Sequence, residues 1–363
     1  MKKGYFVTGF PGFLSEQLLK LWLNDNEDKH IYLLVLPSMV TKAGKKMEEL
    51  KSAAHNNSTI QMIEGDITKE NLGLPGPTLS YLTDKITYVW HLAAIYDLAV
   101  DRSIAFKVNV TGTYHLNEWI QKLTGLKRYV YFSTAYVAGK REGVLKADEL
   151  VRPREFHNFY EETKYEAEVL VESLKNKLPV TIIRPSIVKG TVTGGETSKF
   201  DGAYYMMNII DNLKLSPVIP YIGKSSARLN IVPSDYVVRA ANWLGHSDSG
   251  EGKTYHITDP NPYPSRELFR FVMLAQIGRK PVFTIPASFA EKLLSFSQAR
   301  KLLKVEKQAV TYFNWHGRFD QTDTEKDLAG SQISCPDFLD GIGPMVRFYE
   351  QNKRNKALHP PVV

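Results

Sequence analysis

The stretch Tyr5-Phe6-Val7-Thr8-Gly9-Phe10-Pro11-Gly12-Phe13-Leu14-Ser15 starts as a short aromatic and β-branched run and turns through two glycines. It continues into leucines at helical spacing, Leu14, Leu18 and Leu21. A glycine directly after a strand permits a tight turn, and a second lets the backbone approach a pyrophosphate. The N-terminus of the following helix then offers unpaired N–H groups and the positive end of its dipole. Ser15 stands where a third glycine is common, and a residue this small still lets the helix pack closely on the strand. The turn therefore predicts a dinucleotide held by Thr8, Gly9, Pro11, Gly12, Phe13 and Leu14.

Outward from this turn the same rhythm repeats. Tyr5–Thr8, Ile31–Leu36, Ile60–Glu64, Tyr88–Leu92, Tyr129–Ser133 and Val180–Arg184 read as buried strands, with amphipathic helical stretches such as Ile104–Leu123 between them. Alternation of this kind predicts an α/β fold, a Rossmann-type doubly wound parallel sheet covered on both faces. After Pro185 the rhythm breaks into a Gly-, Thr- and Ser-rich stretch from Gly190 to Gly202. The expected organisation is a dinucleotide-binding domain over residues 1–190, with later strands at Asn230–Val232 and Tyr255–Thr258 within about 228–260. Residues 191–227 and 261–363 would form a smaller C-terminal substrate-binding region.

Composition narrows the function. With 363 residues, 43% hydrophobic and 23% charged, the chain is an ordinary globular one and neither disordered nor fibrous. A single cysteine, Cys335, forms no intrachain disulfide, and nine scattered histidines show no metal-binding spacing, so no metal site is expected. The basic start Met1-Lys2-Lys3-Gly4 is followed by too short an apolar stretch for a secretory signal, and Ile31–Leu36 falls far short of the roughly 20 residues of a membrane span. A cytoplasmic location is the expectation. Forty-six Lys and Arg against 39 Asp and Glu leave +7, which favours anionic partners. No nucleic-acid module is visible, so a phosphate-bearing cofactor or substrate is the expected partner, without nucleic acid.

The end of the second strand sets the cofactor type. Leu36-Pro37-Ser38 offers no carboxylate to a ribose 2′-hydroxyl, and Lys42, Lys45 and Lys46 follow, which favours NADP(H) over NAD(H), with Lys42 as the contact. Asp66 and Ile67, after the third strand, are placed to reach the adenine. Leu92, Ala93 and Ala94, after the fourth, are small or apolar where backbone must pass close to the cofactor.

Reduction of a carbonyl also needs a proton donor. A tyrosine serves at neutral pH when a cation stabilises its phenolate, and Tyr-x-x-x-Lys on a helix brings the two together. The pattern occurs at Tyr81/Lys85, Tyr136/Lys140, Tyr160/Lys164 and Tyr349/Lys353. Only Tyr160/Lys164 opens a long helix between the fifth and sixth strands, with Asn158 as its N-cap and Glu161 three residues on. At the end of the fifth strand Thr134 is the hydroxyl chosen to polarise the carbonyl. Ser133, pointing the other way, is expected to be satisfied by backbone.

Together, Thr8-Gly9-x-x-Gly12-x-x-Ser15, Asp66-Ile67, His91-Leu92-Ala93-Ala94, Asn109 in Val108–Thr113, Ser133-Thr134, Tyr160-x-x-x-Lys164 and Arg184-Pro185-Ser186-Ile187-Val188-x-Gly190 resemble the extended short-chain dehydrogenase/reductase family over about the first 260 residues. Within it, the stretches His91–Leu98 and Ile231–Val238 are similar to the thioester-reductase and fatty acyl-CoA reductase branch. The resemblance implies catalysis by Tyr160 as general acid, with Lys164 binding the nicotinamide ribose and lowering the tyrosine pKa. It gives Thr134 the substrate carbonyl, and Asn109 the support of the helix and a relay water. Pro185 and Ile187 would line the nicotinamide, and Tyr96, Thr134 and Lys189 would meet substrate. Lys189 stands where the family usually has an uncharged residue, and Pro37 where the branch often has arginine.

The implied activity is NADPH-dependent reduction of an acyl thioester, on coenzyme A or a carrier, to an aldehyde. A carbonyl reductase, a nucleotide-sugar epimerase or dehydratase, and a non-catalytic NADP sensor are the alternatives. The family habit implies a homodimer through the helices at about 104–123 and 160–177. Ala287–Val305, with Leu293, Leu294, Phe296, Leu302 and Leu303 beside Lys292, Arg300, Lys301 and Lys304, reads as a basic amphipathic helix that packs on its own domain or meets lipid or an acyl chain.

Overall fold

The computed structural model describes residues 3–97, 99–223 and 226–360. Met1 and Lys2 of the basic start and Leu98 of the His91–Leu98 stretch lie outside the described residues. Seven strands form one parallel sheet: β1 (Lys3–Thr8), β2 (Lys29–Val35), β3 (Thr59–Glu64), β4 (Tyr88–His91), β5 (Arg128–Phe132), β6 (Val180–Pro185) and β7 (Thr254–Ile257). Their order is β7-β6-β5-β4-β1-β2-β3. This is the doubly wound Rossmann-type fold expected from the alternation. The interior strands β4, β5 and β6 are buried along their whole length, as strands covered on both faces must be. Edge strand β3 instead alternates, with Ile60 and Ile63 buried and Thr59, Gln61 and Glu64 exposed.

Alternate residues of β1 serve opposite faces of the sheet. Tyr5 and Val7 join Leu18 and Trp22 of the Phe13–Leu23 helix and Val237 and Leu244 of the Ser234–His246 helix. Phe6 joins Leu116 and Trp119 of the Gly112–Ile120 helix and Ala167 and Val171 of the Phe159–Glu172 helix. A third core lies beyond the sheet. Phe200, Tyr204 to Met207, Leu268, Val272, Tyr312, Trp315 and Tyr349 bury against one another and against Tyr136.

Register brings the strand ends into line. Thr8 pairs with His91, His91 with Tyr131, and Phe132 with Ile183. The sheet order reverses between β1 and β4, and ligands of open α/β sheets bind at that crevice.

Three local features depart from the sequence expectations. The strand foreseen at Asn230–Val232 forms at Ile231–Pro233, but it pairs with Ile187–Lys189 in a separate two-stranded ribbon outside the central sheet. Pro185 has no N–H to give the ladder, and Ser186 N–H makes the last bond to the sheet, to Ile257 O at 3.2 Å, before the chain leaves it. The helix foreseen over Ile104–Leu123 runs from Arg102 to Ile120 and contains a π-helical turn at Phe106–Thr111. The single amphipathic helix expected over Ala287–Val305 is two, Ala287–Leu293 and Ser297–Leu303. The Ser295 hydroxyl donates to Glu291 O at 2.9 Å, and Arg300 donates to Leu294 O and Ser295 O at 2.8 and 3.1 Å, so the carbonyls freed at the break are held.

No helix of the described residues is long and apolar enough to cross a membrane.

Candidate active site

One cavity of about 750 Å³ opens at the reversal point of the sheet. Its dinucleotide end is built by the first turn. Gly9 sits at φ +88°, and a Cβ there would meet Ala93 N at 2.7 Å; one on Gly12 would meet Gly9 O at 2.5 Å. Only glycine leaves this backbone room. The Ser15 hydroxyl lies 3.0 Å from Gly9 O and 2.9 Å from Gly12 O, so the residue in place of a third glycine fastens the turn to the helix. The helix begins at Gly12 with no side-chain cap, which leaves its first N–H groups for an anion. Thr8, Gly9, Pro11, Gly12, Phe13, Leu14, Asp66, Ile67, Leu92, Ala93 and Ala94 all line this end. A dinucleotide fits the uncapped helix and the bare glycines.

Of the three lysines after β2, Lys42 alone lines the cavity. Lys46 turns to Glu16 and Glu49 at 3.5 and 3.1 Å, and Lys45 is exposed outside the cavity.

Behind the turn lies a fixed hydrogen-bond chain. Thr113 Oγ1 donates to Asn109 O at 2.6 Å, so it accepts from His91 Nε2–H at 3.0 Å. His91 Nδ1 is then the acceptor for Thr8 Oγ1–H at 2.7 Å, and Thr8 in turn accepts Ala93 N–H at 3.1 Å. This arrangement requires a neutral imidazole, and burial, helped by the Lys164 charge, holds its pKa down at about 3. The chain locks β1 to β4 where the backbone must pass a ligand.

Thr134, Tyr160, Lys164, Pro185, Ile187 and Tyr96 line the middle of the same cavity. Asn158 caps the Phe159–Glu172 helix as the sequence foresaw, accepting Glu161 N–H at 3.0 Å. Tyr160 lies one residue inside, edge-on to Tyr96 with ring centroids 4.9 Å apart. Burial raises the Tyr160 pKa, the Thr134 hydroxyl opposes that rise, and Glu161 and Asp201 add to it. The cation expected to lower it, Lys164, is otherwise engaged: its ammonium donates to Tyr131 Oη at 2.8 Å and Phe132 O at 2.6 Å. Burial brings the Lys164 pKa down to about 7 against the pull of Glu168.

Asn109 does not line the cavity but ties its wall together. Its Oδ1 accepts Ile95 N–H at 2.9 Å and its Nδ2 donates to Thr163 Oγ1 at 2.9 Å, one residue before Lys164. The π-turn that carries Asn109 is of the kind often found at functional sites. Ser133 is satisfied by the buried Glu168 carboxylate rather than by backbone as expected, and Glu168 also receives Arg184 at 2.6 and 2.8 Å. Glu168 follows Lys164 by one helical turn, so it pins the helix to β5 and β6 at once. Lys189, expected at the substrate, points away from the cavity: it is buried at 1% exposure, with Nζ 5.4 Å from the Phe338 ring centroid.

The other Tyr-x-x-x-Lys pairs are engaged elsewhere. Lys353 binds Asp211 and Glu350, Lys140 binds Glu155, and the Tyr81 hydroxyl meets that of Tyr32. The far end of the cavity was not legible in the sequence. Tyr136, Asp201, Tyr205, Leu229, Tyr312 and Phe313 line it, drawn from segments up to 177 positions apart. Only the placement of Tyr136 two residues after Thr134 could have signalled any of them.

Comparison with known proteins accords with this geometry. Residues 7–241 match the family model described as male sterility protein, an NAD-binding domain. The chain is similar to the fatty acyl-CoA reductase wat of Drosophila melanogaster, 26% identical over 273 residues that cover 66% of this chain and 53% of that one. It is also similar to fatty acyl-CoA reductase 1 of Arabidopsis thaliana, at 23% identity over 90% of this chain and 83% of that one. The solved terminal R domain from the myxalamid PKS-NRPS biosynthetic pathway superposes with a TM-score of 0.80 at 25% identity, over 98% of this chain and 92% of that domain. The chain spans about half the length of the fruit-fly relatives, 52% and 53% of the first two. With more than half of its residues matched, the chain belongs to the male sterility protein family of NAD-binding domains.

Proposed function

We propose that the protein reduces an acyl thioester, carried by coenzyme A or a carrier protein, to an aldehyde at the expense of NADPH. The observation that carries this reading is the continuity of the cavity. It runs from the glycine turn past Thr134 and Tyr160 to an apolar and phenolic end at Tyr205, Leu229, Ala309 and Phe313. An acyl chain suits such a lining. A sugar diphosphate would meet Thr197, Ser198 and Lys199 on one side of the cavity, but the apolar lining at Leu229, Ala309 and Phe313 favours the acyl chain.

A bound nicotinamide dinucleotide would supply the hydride; Gly9, Gly12 and the uncapped helix would hold its pyrophosphate, and Pro185 and Ile187 would flank its nicotinamide. Lys42, with Leu36 and Met39 rather than a carboxylate beside it, supports a 2′-phosphate and hence NADPH. Thr134 orients the substrate carbonyl. Tyr160, whose pKa is raised, keeps its proton at neutral pH and gives it to the oxygen as charge develops there. The same residues would serve a second reduction, of the aldehyde to the alcohol. Homodimerisation through the helices at about 104–123 and 160–177 is supported by Ile104, Phe106, Tyr114 and Val169, which are exposed there; a sedimentation mass near 41.2 kDa would contradict it.

Absorbance at 340 nm with a long-chain acyl-CoA tests the reading. NADPH should be consumed in preference to NADH, and Lys42→Glu should erase that preference. Tyr160→Phe should lose about 100-fold or more in turnover with NADPH affinity kept within about twofold. Consumption of NADPH with a free aldehyde and none with the thioester would replace the proposal by a carbonyl reductase.

A further inference from the structure

The two short helices that replace the expected amphipathic one have an outer surface that no contact inside the protein explains. Ala290, Leu294 and Val305 point inward and are buried, whereas Phe289, Leu293, Phe296 and Leu302 are 57%, 42%, 58% and 67% exposed. Val282 and Phe283, just before them, are 67% and 48% exposed. The patch continues onto a neighbouring loop. Arg279 donates to the carbonyls of Lys214, Ser216 and Pro217, and in that loop Leu215 is 93% exposed. Large apolar side chains gathered on one surface mark an interaction site.

Charge selects the partner. Between Arg279 and Lys307 lie seven Lys and Arg against two Glu, a net +5 of the chain's +7. Its exposed charged residues are all lysines, Lys280, Lys292, Lys301 and Lys307, whereas Glu306 is buried and Glu291 half-buried. A second copy of the same face would bring like charges together, which disfavours self-association through it. Phenylalanines and leucines flanked by lysines match the interface of an anionic bilayer, where rings and aliphatic chains enter the acyl boundary and ammonium groups meet headgroups.

We propose that the segment 279–307, with Leu215, is a surface that seats the protein peripherally on an anionic lipid membrane. Membrane seating does not depend on the thioester reading. It adds to that reading a geometric consequence: the Lys307–Asn314 turn continues directly from the patch and carries Ala309, Tyr312 and Phe313 of the cavity wall. A chain leaving the bilayer would meet the apolar end of the cavity next to it.

Co-sedimentation of the full chain with vesicles tests this. The protein should pellet with phosphatidylcholine vesicles containing 30% phosphatidylserine, bind pure phosphatidylcholine at least tenfold less tightly, and be released by 0.5 M NaCl. Lys292→Glu with Lys301→Glu should lower the affinity at least tenfold. Lys85→Glu with Lys127→Glu, an equal charge change at exposed sites remote from the patch, should leave it within about twofold. Phe289→Ser with Phe296→Ser should abolish binding while circular dichroism and the melting transition stay those of the parent. Absence of pelleting, equal loss in both lysine pairs, or a concentration-dependent dimer disrupted by Phe289→Ser with Phe296→Ser would overturn the proposal. Retained pelleting with no turnover of any thioester would leave it standing and overturn the reaction instead.

Discussion

The Tyr312 hydroxyl donates to the Glu161 carboxylate at 2.5 Å, joining the wall of the cavity's far end to the first turn of the helix that presents Tyr160. Glu161 is fully buried; its other oxygen accepts His157 N–H at 2.9 Å, and Asn158 Nδ2 donates to Tyr312 Oη at 2.9 Å. The C-terminal segment thus sets the position of the helix start as much as the cap does.

Tyr312→Phe removes one donor from a buried carboxylate without changing the shape of the ring. Leaving a buried acceptor unsatisfied costs about 1–3 kcal/mol. Urea denaturation should show a loss of that size. Turnover should fall several-fold, because the helix bearing Tyr160 loses an anchor, while NADPH affinity stays nearly unchanged. Unaltered turnover and stability would show that Asn158 alone fixes the helix.

Burial brings the Lys164 pKa down to about 7, so its charge is present below that pH and lost above it. If Lys164 holds the dinucleotide as proposed, NADPH binding should weaken as pH rises from 6 to 8.5. Fluorescence titration checks this, and Lys164→Met should bind more weakly with a flatter pH profile. Equal slopes in parent and variant would assign the dependence to another group.

Asp201 lines the far end of the cavity, and burial pushes its pKa up to about 6 from the ordinary 3.8. A carboxyl whose pKa is raised on folding favours the fold at low pH. That contribution falls as pH climbs from about 4 to 6 and stays lost above. Asp201→Asn should accordingly stabilise the protein at pH 8 by on the order of 2 kcal/mol, less at pH 5, and not at pH 4. The urea midpoint at the three pH values reads this directly; a variant less stable at pH 8 would mean that the carboxylate makes a favourable contact there.

What was legible in the sequence was what lies close together along the chain. The glycine turn needs Gly9 and Gly12 three residues apart directly after a strand, and Tyr160 with Lys164 needs one turn at the start of a long helix, so spacing read with its local context singled out both. Contacts across long separations left no such mark. Glu161 and Tyr312 are 151 positions apart, and the carboxylate that satisfies Ser133 lies 35 positions away in a helix on another element. The direction of Lys189 was misjudged for a related reason. It depends on the pairing of Ile187–Lys189 with Ile231–Pro233 outside the central sheet, where Lys189 shares a face with Ile187 but lies beyond the end of the cavity, beside Phe338. The break at Ser295 depends on a side-chain bond to Glu291 that hydrophobic periodicity does not register.

The central claim is that a hydride reaches the acyl carbon of a thioester in this cavity. Incubation with palmitoyl-CoA and NADPH deuterated at the nicotinamide C4 position, in both stereochemical forms, followed by mass spectrometry of the product, tests it most directly. The account predicts deuterium on C1 of the aldehyde, or of the alcohol that follows, from one of the two forms, with free coenzyme A released in step. Release of free coenzyme A with an unlabelled fatty acid, or unchanged palmitoyl-CoA beside a labelled alcohol formed only from added aldehyde, would contradict it.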